Sequence, residues 1–261
     1  FQEDAIVVIS PTKLPPKEAK PVVVAVVMPH RSMECNLGSA CAVFSASKQN
    51  IPQVFFNYGT TVLTQCFNTL WCLALNARQT DGVTHFAMLH NDVIPEAGWL
   101  DILFHEMQEH HLDCISAVIP LKNSKGLTST GIDTPGNPWS VRRLTMAEVF
   151  DLPETFIAGD VPFRKEEAQL LLNTGCWLMK FDQPWSNGLS FCQQDRVVWS
   201  KSAQEYAAQS ISEDWDFSRQ LYSRGCRLGA TRKVRVQHER MEYHNKSVWG
   251  DWIEDEYYLE H

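Results

Sequence analysis

Residues 85–103 read "HFAMLHNDVIPEAGWLDIL", and within them His90, Asn91 and Asp92 close a run of apolar residues. A carboxylate at a strand end, beside a second polar side chain, is a hard-oxygen ligand suited to Mg2+ or Mn2+. Such an ion chiefly binds phosphate oxygens and completes its shell with water. The plainer role for Asp92 is to cap the turn before the next helix. A second candidate is the acidic pair Glu213 and Asp214 in "SEDWDFSRQLYSRG", residues 212–225. Two acids in a first helical turn complement the helix dipole, worth ~0.3–1 kcal/mol each. Alternatively, one of them is a general base that takes the proton from an attacking hydroxyl. The third candidate is His238, which ends the alternating stretch "RKVRVQ". It is either structural or a ligand at a strand end, with His244 as second choice.

These groups need elements to hold them. "PVVVAVVM" (21–28) is a continuous, largely β-branched run ended by Pro29, the pattern of a strand buried on both faces in a parallel sheet. A helix fits 38–48, a second strand 53–56, and a second helix 60–77, where Leu63, Phe67, Leu70, Ala74 and Ala77 recur at helical spacing. A strand at 85–89, an amphipathic helix at 96–110 and a strand at 114–120 continue the alternation. Strands alternating with helices imply a parallel sheet with crossover connections. Ligands of such sheets bind beyond the carboxyl ends of the strands, where residues 90–92 fall.

Residues 121–170 change character. "KNSKGLTSTGIDTPGNPWS" reads as a long loop of the kind that orders over a ligand, and "TMAE" (145–148) as a capping box for a short helix. "LLLNTGCWLMKF" (170–181) reads as a strand pair or a strand with a glycine bend. Residues 212–225 form a helix with Ser212 as N-cap and Gly225 closing it. Residues 227–239 supply one or two last strands. Residues 1–20 read as an arm, and the final "LEH" (259–261) as a tag remnant.

Taken together, these motifs resemble GT-A-type glycosyltransferases, in particular the family-2-like group that uses nucleotide sugars. "VVVAVVMP" resembles the first nucleotide-binding strand of that group. "THFAMLHNDVIPEAGWLDIL" resembles its buried strand, Asp-x-Asp-type metal motif and Gly-Trp-Leu. "LNTGCWLMKF" resembles its acceptor-side strand. "SEDWDFSRQLYSRGCRLGATRKVRVQHE" resembles its Glu-Asp motif, Asp-Phe helix, Arg-Gly turn and closing histidine. The likeness covers roughly residues 21–240. It departs at His90, where the family's metal motif usually has Asp, and at "CFN" (66–68), which keeps only Asn68 of the Ala-Arg-Asn often seen there.

The resemblance implies an α/β, Rossmann-like GT-A fold with a mostly parallel sheet flanked by helices and a smaller mixed-sheet acceptor side. Residues 21–120 would bind the nucleotide sugar, and 121–250 the acceptor. It implies an inverting transfer from a nucleoside diphosphate sugar, with Mn2+ or Mg2+. Pro29, His30, Arg31, Asn68, His90, Asn91 and Asp92 would contact the donor. Asp92 and His238, with His90, would hold the metal. Asp214 would be the base and Glu213 would orient the sugar or acceptor. Gly175, Trp177 and Trp249 would line the acceptor side, with Trp139 a further aromatic candidate.

Composition sets the outer bounds. The chain has 261 residues, 44% hydrophobic and 21% charged, which is ordinary for a globular domain with a real core. Its net charge of −8 excludes an overall basic footprint for nucleic acid. Only Arg224, Arg227, Arg232, Lys233 and Arg235 cluster, which keeps modified nucleic acid as a lesser acceptor class beside glycans and small molecules. The eight cysteines show no CxxC or zinc spacing and read as reduced thiols in a cytoplasmic protein. No apolar run is long enough to span a membrane. Two competing readings use the same residues: a metal-dependent hydrolase of phosphoesters or nucleotide sugars, and an inactive nucleotide-sugar-binding protein.

Overall fold

A computed structural model describes residues 21–30, 35–122, 126–181, 183–239 and 246–248. The arm 1–20, Arg31, His244, Trp249 and the 259–261 tail lie outside the described residues.

The first half follows the expected alternation. It runs β1 (Val24–His30), α1 (Leu37–Phe44), β2 (Gln53–Gly59), α2 (Leu63–Thr80), β3 (His85–Leu89), β4 (Val93–Pro95), α3 (Trp99–Glu109) and β5 (Cys114–Ala117). The second half runs β6 (Leu127–Asp133), β7 (Val141–Thr145), α4 (Met146–Asp151), β8 (Thr155–Ile157), β9 (Leu170–Leu171) and β10 (Cys176–Lys180). It ends with β11 (Gln194–Ser200), β12 (Glu205–Ile211), α5 (Glu213–Tyr222), β13 (Leu228–Thr231), β14 (Val236–Glu239) and β15 (Lys246–Val248).

Seven strands form the central sheet in the order β2-β1-β3-β10-β5-β13-β8. β2, β1, β3, β5 and β13 share one direction, while β10 and β8 run against their neighbours. The architecture is therefore mixed α/β with a mostly parallel sheet. The antiparallel β10 was not expected. It follows a long excursion rather than a crossover helix, so nothing in its connection forces a parallel entry. The strand interiors obey burial: Val24, Ala25, Val26 and Val27 are 0% exposed, as a strand covered on both faces requires.

Two expectations need correction, and one element was not foreseen. β1 does not stop at Pro29 but continues through it to His30. The pairing of β1 with β3 ends at Val27, whereas its pairing with β2 continues to His30. The carbonyl of His30 accepts from Thr60 on the β2 side. Pro29, one residue before, therefore turns its missing N–H toward the side that β3 has left open, where no ladder bond is lost. Next, the 121–170 stretch is not a structureless loop in its described part. β6 pairs with β7 and β9, and the capping box at Thr145 forms, with Glu148 N donating to Thr145 Oγ1 at 3.1 Å and Thr145 N to Glu148 Oε2 at 2.9 Å. Arg219 ties this unit to α5 through Asp133 Oδ1 at 2.8 Å and the Pro138 carbonyl at 2.9 Å. Turn-forming residues in 133–140 mask the strands around them. Finally, residues 194–211 form a hairpin, β11–β12, that the sequence reading left unassigned.

An aromatic cluster packs against the sheet around β3 and β10. Trp71 meets Phe86, Phe181 and Phe217 at 4.8, 4.7 and 5.4 Å between ring centroids, and Phe191 stacks on Phe217 at 4.3 Å. Burying such rings is the main favourable contribution here, roughly 1.5–3 kcal/mol for each fully buried large side chain.

Candidate functional site

Two groups of polar residues occupy the carboxyl end of the sheet. The first forms where β3 ends. Val93 N donates to the His90 carbonyl at 3.1 Å, closing a turn over Asn91 and Asp92, and β4 begins. β14 pairs with β4 so that His238 lies opposite Val93. This register brings the last strand's histidine beside Asp92: His238 Nε2 is 3.7 Å from Asp92 Oδ2. The other ring nitrogen, Nδ1, lies 2.7 Å from the Pro120 carbonyl, to which it donates. Lys122, two residues beyond Pro120, donates its Nζ to the same Asp92 Oδ2.

The electrostatics follow from this crowding. Burial pushes the Asp92 carboxyl up. The imidazoles of His238, first, and His90, together with the hydrogen-bonded Lys122 ammonium, outweigh it and hold the carboxyl well below the usual range. His90 goes the other way. Burial lowers it to about 4; Asp92 opposes this, and the charges of His238 and Lys122 add to it. His90 is therefore a neutral imidazole near pH 7. Its ring packs on Phe67 at 5.1 Å, its backbone N–H donates to the Gly175 carbonyl at 2.8 Å, and its Nε2 lies 3.3 Å from Thr174 Oγ1.

The second group is the first turn of α5. Ser212 occupies the N-cap position, but its hydroxyl does not accept from the helix; it donates to Asp214 Oδ1. Trp215 N also donates to Oδ1, at 2.8 Å. Both hydrogen bonds fall on one oxygen, and among the described residues Oδ2 accepts none. Burial raises the Asp214 carboxyl against the pull of those two donors and of the Arg143 charge. Glu213 is 9% exposed and is pushed up to about 7, by burial first and the Asp214 charge second. Arg143 lies over the Trp215 ring at 4.5 Å and reaches the Thr128 carbonyl at 3.3 Å.

One segment links the groups. Leu172 N donates to Ser218 Oγ at 3.0 Å, and Ser218 Oγ donates to the Asp214 carbonyl at 2.9 Å. Two residues later, Thr174 touches His90. Two residues of extended chain span about 7 Å. α5 leads by its C-terminal end into the start of β13, so its N-terminal turn lies at the end of the sheet where β3 and β5 finish.

The other expected contacts are placed differently. Asn68 exchanges two hydrogen bonds with the backbone of Phe191, at 2.9 and 2.8 Å, so its amide is a structural clamp rather than a donor contact. Trp177 is 1% exposed and packed among Phe86, Phe191 and Phe217, so it cannot touch an acceptor. Gly175 is buried. A Cβ there would stand 2.6 Å from Ile119 Cδ1, so the position serves close packing behind His90 rather than acceptor binding. Asn91 Oδ1 accepts from Asn36 N at 2.7 Å, and Ser39 Oγ donates to the Asn91 carbonyl at 2.8 Å, fastening α1 to the turn. Pro29 is buried in β1, and the His30 ring packs over Gly59, where a Cβ would meet it at 2.2 Å. Trp99 is core, while Trp215 is half-buried under Arg143. Trp139 lies under the guanidinium of Arg196, at 4.1 Å.

Lys122 and Arg143 are the residues that sequence reasoning missed. Lys122 stands just past the end of β5, the position that singled out Asp92 on β3, so the same rule points to it. Arg143 gives no such signal. The basic cluster is dispersed: Arg224 binds the Gly188 carbonyl, Arg227 the His110 carbonyl, and Lys233 Nζ lies 2.8 Å from Glu106. Among the described residues, no group of three His, Cys, Asp or Glu side chains could hold a metal ion, and no helix is long and apolar enough to cross a membrane.

No family model matches the chain, and no curated protein matches it. Among solved structures, the crystal structure of A197 from STIV is similar at 13% identity with a TM-score of 0.49, over 87% of this chain and 94% of that one.

Proposed function

We propose that this chain is a GT-A-like glycosyltransferase that moves a sugar from a nucleoside diphosphate sugar to an acceptor hydroxyl with inversion. One observation carries the reading. A cation-bearing cluster (Asp92, His238, Lys122) and an acidic pair with raised affinity for protons (Glu213, Asp214) occupy one end of one sheet, joined by the 172–174 segment.

Each residue then has a task. Asp214 presents Oδ2, which accepts no hydrogen bond among the described residues, while Ser212 and Trp215 fix Oδ1. The acceptor oxygen attacks the anomeric carbon from the face opposite the leaving group. Its proton passes to Asp214, and the anomeric C–O bond breaks with its electron pair going to the diphosphate. A positioned base of this kind contributes about 10²–10⁴-fold. Glu213 orients sugar or acceptor. His90, neutral, offers a hydrogen bond to the donor. The developing charge on the diphosphate needs fixed positive charge nearby.

A resident Mn2+ or Mg2+ does not fit this cluster well. Asp92 Oδ2 already holds the Lys122 ammonium, and the described residues supply no group of three His, Cys, Asp or Glu side chains there. The reaction as written requires no metal.

The test is a thermal-shift screen of nucleotide sugars. A true donor at 100 times its dissociation constant stabilises by about 2.7 kcal/mol. The positive donor is then assayed for release of the nucleoside diphosphate with a panel of glycan and small-molecule acceptors. Stabilisation with no turnover would favour the inactive binder. Release of free sugar without acceptor would favour the hydrolase.

A further inference from the structure

We infer that Lys122 supplies, in place of a bound divalent ion, the positive charge that receives the donor's diphosphate, held in position by Asp92 and His238. The inference rests on the transferase reading and deepens it.

The geometry is a closed triangle. Lys122 Nζ bonds Asp92 Oδ2, His238 Nε2 faces the same oxygen at 3.7 Å, and His238 Nδ1 is fixed on the carbonyl of Pro120, two residues before Lys122. The backbone before Lys122 is anchored as well, since Leu121 N donates to the Leu127 carbonyl at 2.8 Å. An ammonium has three N–H donors. Among the described residues Asp92 is its one acceptor, so two donors remain for phosphate oxygens. The Lys122 and Asp92 side chains are 27% and 33% exposed, so the pair is open to a ligand and not sealed in the core.

A divalent ion seated on Asp92 would meet that ammonium at hydrogen-bonding range, and among the described residues no group of three His, Cys, Asp or Glu side chains surrounds it. A phosphate meets the same surroundings as attraction. Lysine is a recurrent point-charge partner of phosphate. The roles implied for Asp92 and His238 therefore change: they orient Lys122 and the bound anion. In the reaction, the diphosphate takes the electron pair of the breaking anomeric bond beside the Lys122 charge, and the lysine gains no covalent bond.

Isothermal titration with inorganic pyrophosphate in EDTA tests this on the whole chain. Pyrophosphate binds in EDTA; Lys122→Met weakens it by at least about tenfold, the scale of one charged hydrogen bond, and Lys122→Arg restores most of it. Far-ultraviolet circular dichroism checks that each variant folds. Independently of the variants, electron paramagnetic resonance of Mn2+ added to the unmutated protein shows the free-ion signal. Absence of pyrophosphate binding in EDTA, unchanged binding by Lys122→Met, or Mn2+ binding that Asp92→Asn removes each overturns the inference. Transfer seen only with Mn2+ would keep the transferase and discard this role of Lys122. A Lys122-dependent pyrophosphate site with no turnover on any nucleotide sugar would do the reverse.

Discussion

His238 and Asp92 lie far apart in the chain, yet His238 Nε2 lies 3.7 Å from Asp92 Oδ2 because β14 pairs with β4 directly after the Asp92 turn. A backbone register, not a local motif, assembles this part of the candidate site. A one-residue slip of β14 would turn His238 to the other face of that small sheet.

Asp214→Asn keeps the shape of the side chain and removes its capacity to accept a proton. Transfer falls by about 10²–10⁴-fold, while the thermal shift produced by the donor is retained. Full activity in this variant would assign the base elsewhere. Because burial raises both carboxyls of the pair, the acidic limb of kcat/KM lies above the ordinary carboxylate range, and activity is lost as pH falls through it.

Glu213→Gln reads the same pair through stability. A carboxyl whose folded value lies above its unfolded one binds protons more tightly when folded. That advantage is full below the unfolded value and disappears as pH rises through the folded value, about 7 here. The glutamine variant avoids the cost of burying a charge, so it is more stable than the parent at pH 8, by about 1–3 kcal/mol. The gap closes toward pH 4.5. Urea melts at the two pH values measure it, and a gap of equal size at both would refute the burial argument.

Asn68→Ala separates a structural clamp from a nucleotide contact. Loss of the two hydrogen bonds to Phe191 costs about 1–3 kcal/mol in chemical denaturation, because the Phe191 backbone groups are left buried without partners. Donor affinity in the folded variant is unchanged. A selective loss of affinity at unchanged stability would return Asn68 to the donor site.

Gly175→Ala places a methyl group against Ile119 and strains the segment behind His90. The expected cost is about 1–3 kcal/mol of stability, with displaced His90 ring resonances in NMR spectra. An unperturbed His90 would show that the 172–175 segment does not position it.

The framework of the first half was legible because burial on two faces leaves an unmistakable run at 24–27, and because helical spacing is strong in α2. The site was half legible. Asp92, Glu213 and Asp214 stand at element boundaries and His238 near the end of β14, and position alone marks them. Trp177 misled because an aromatic next to a glycine bend looks alike whether it faces a sugar or the core; only the partners Phe86, Phe191 and Phe217 decide it. Asn68 misled in the same way, its amide being consumed by a backbone 123 positions away. Arg143 was invisible, since its pairing with Trp215 depends on how β7 and α5 meet.

β11 and β12 pair with one another and with no strand of the central sheet. Val197 and Tyr206 on this ribbon are each 74% exposed. Residues added or deleted at its tip, around 201–204, would leave every register that assembles Asp92, His238 and Lys122 untouched. The ribbon is thus the part of the molecule free to lengthen or shorten while the pairings that bring those three side chains together stay fixed.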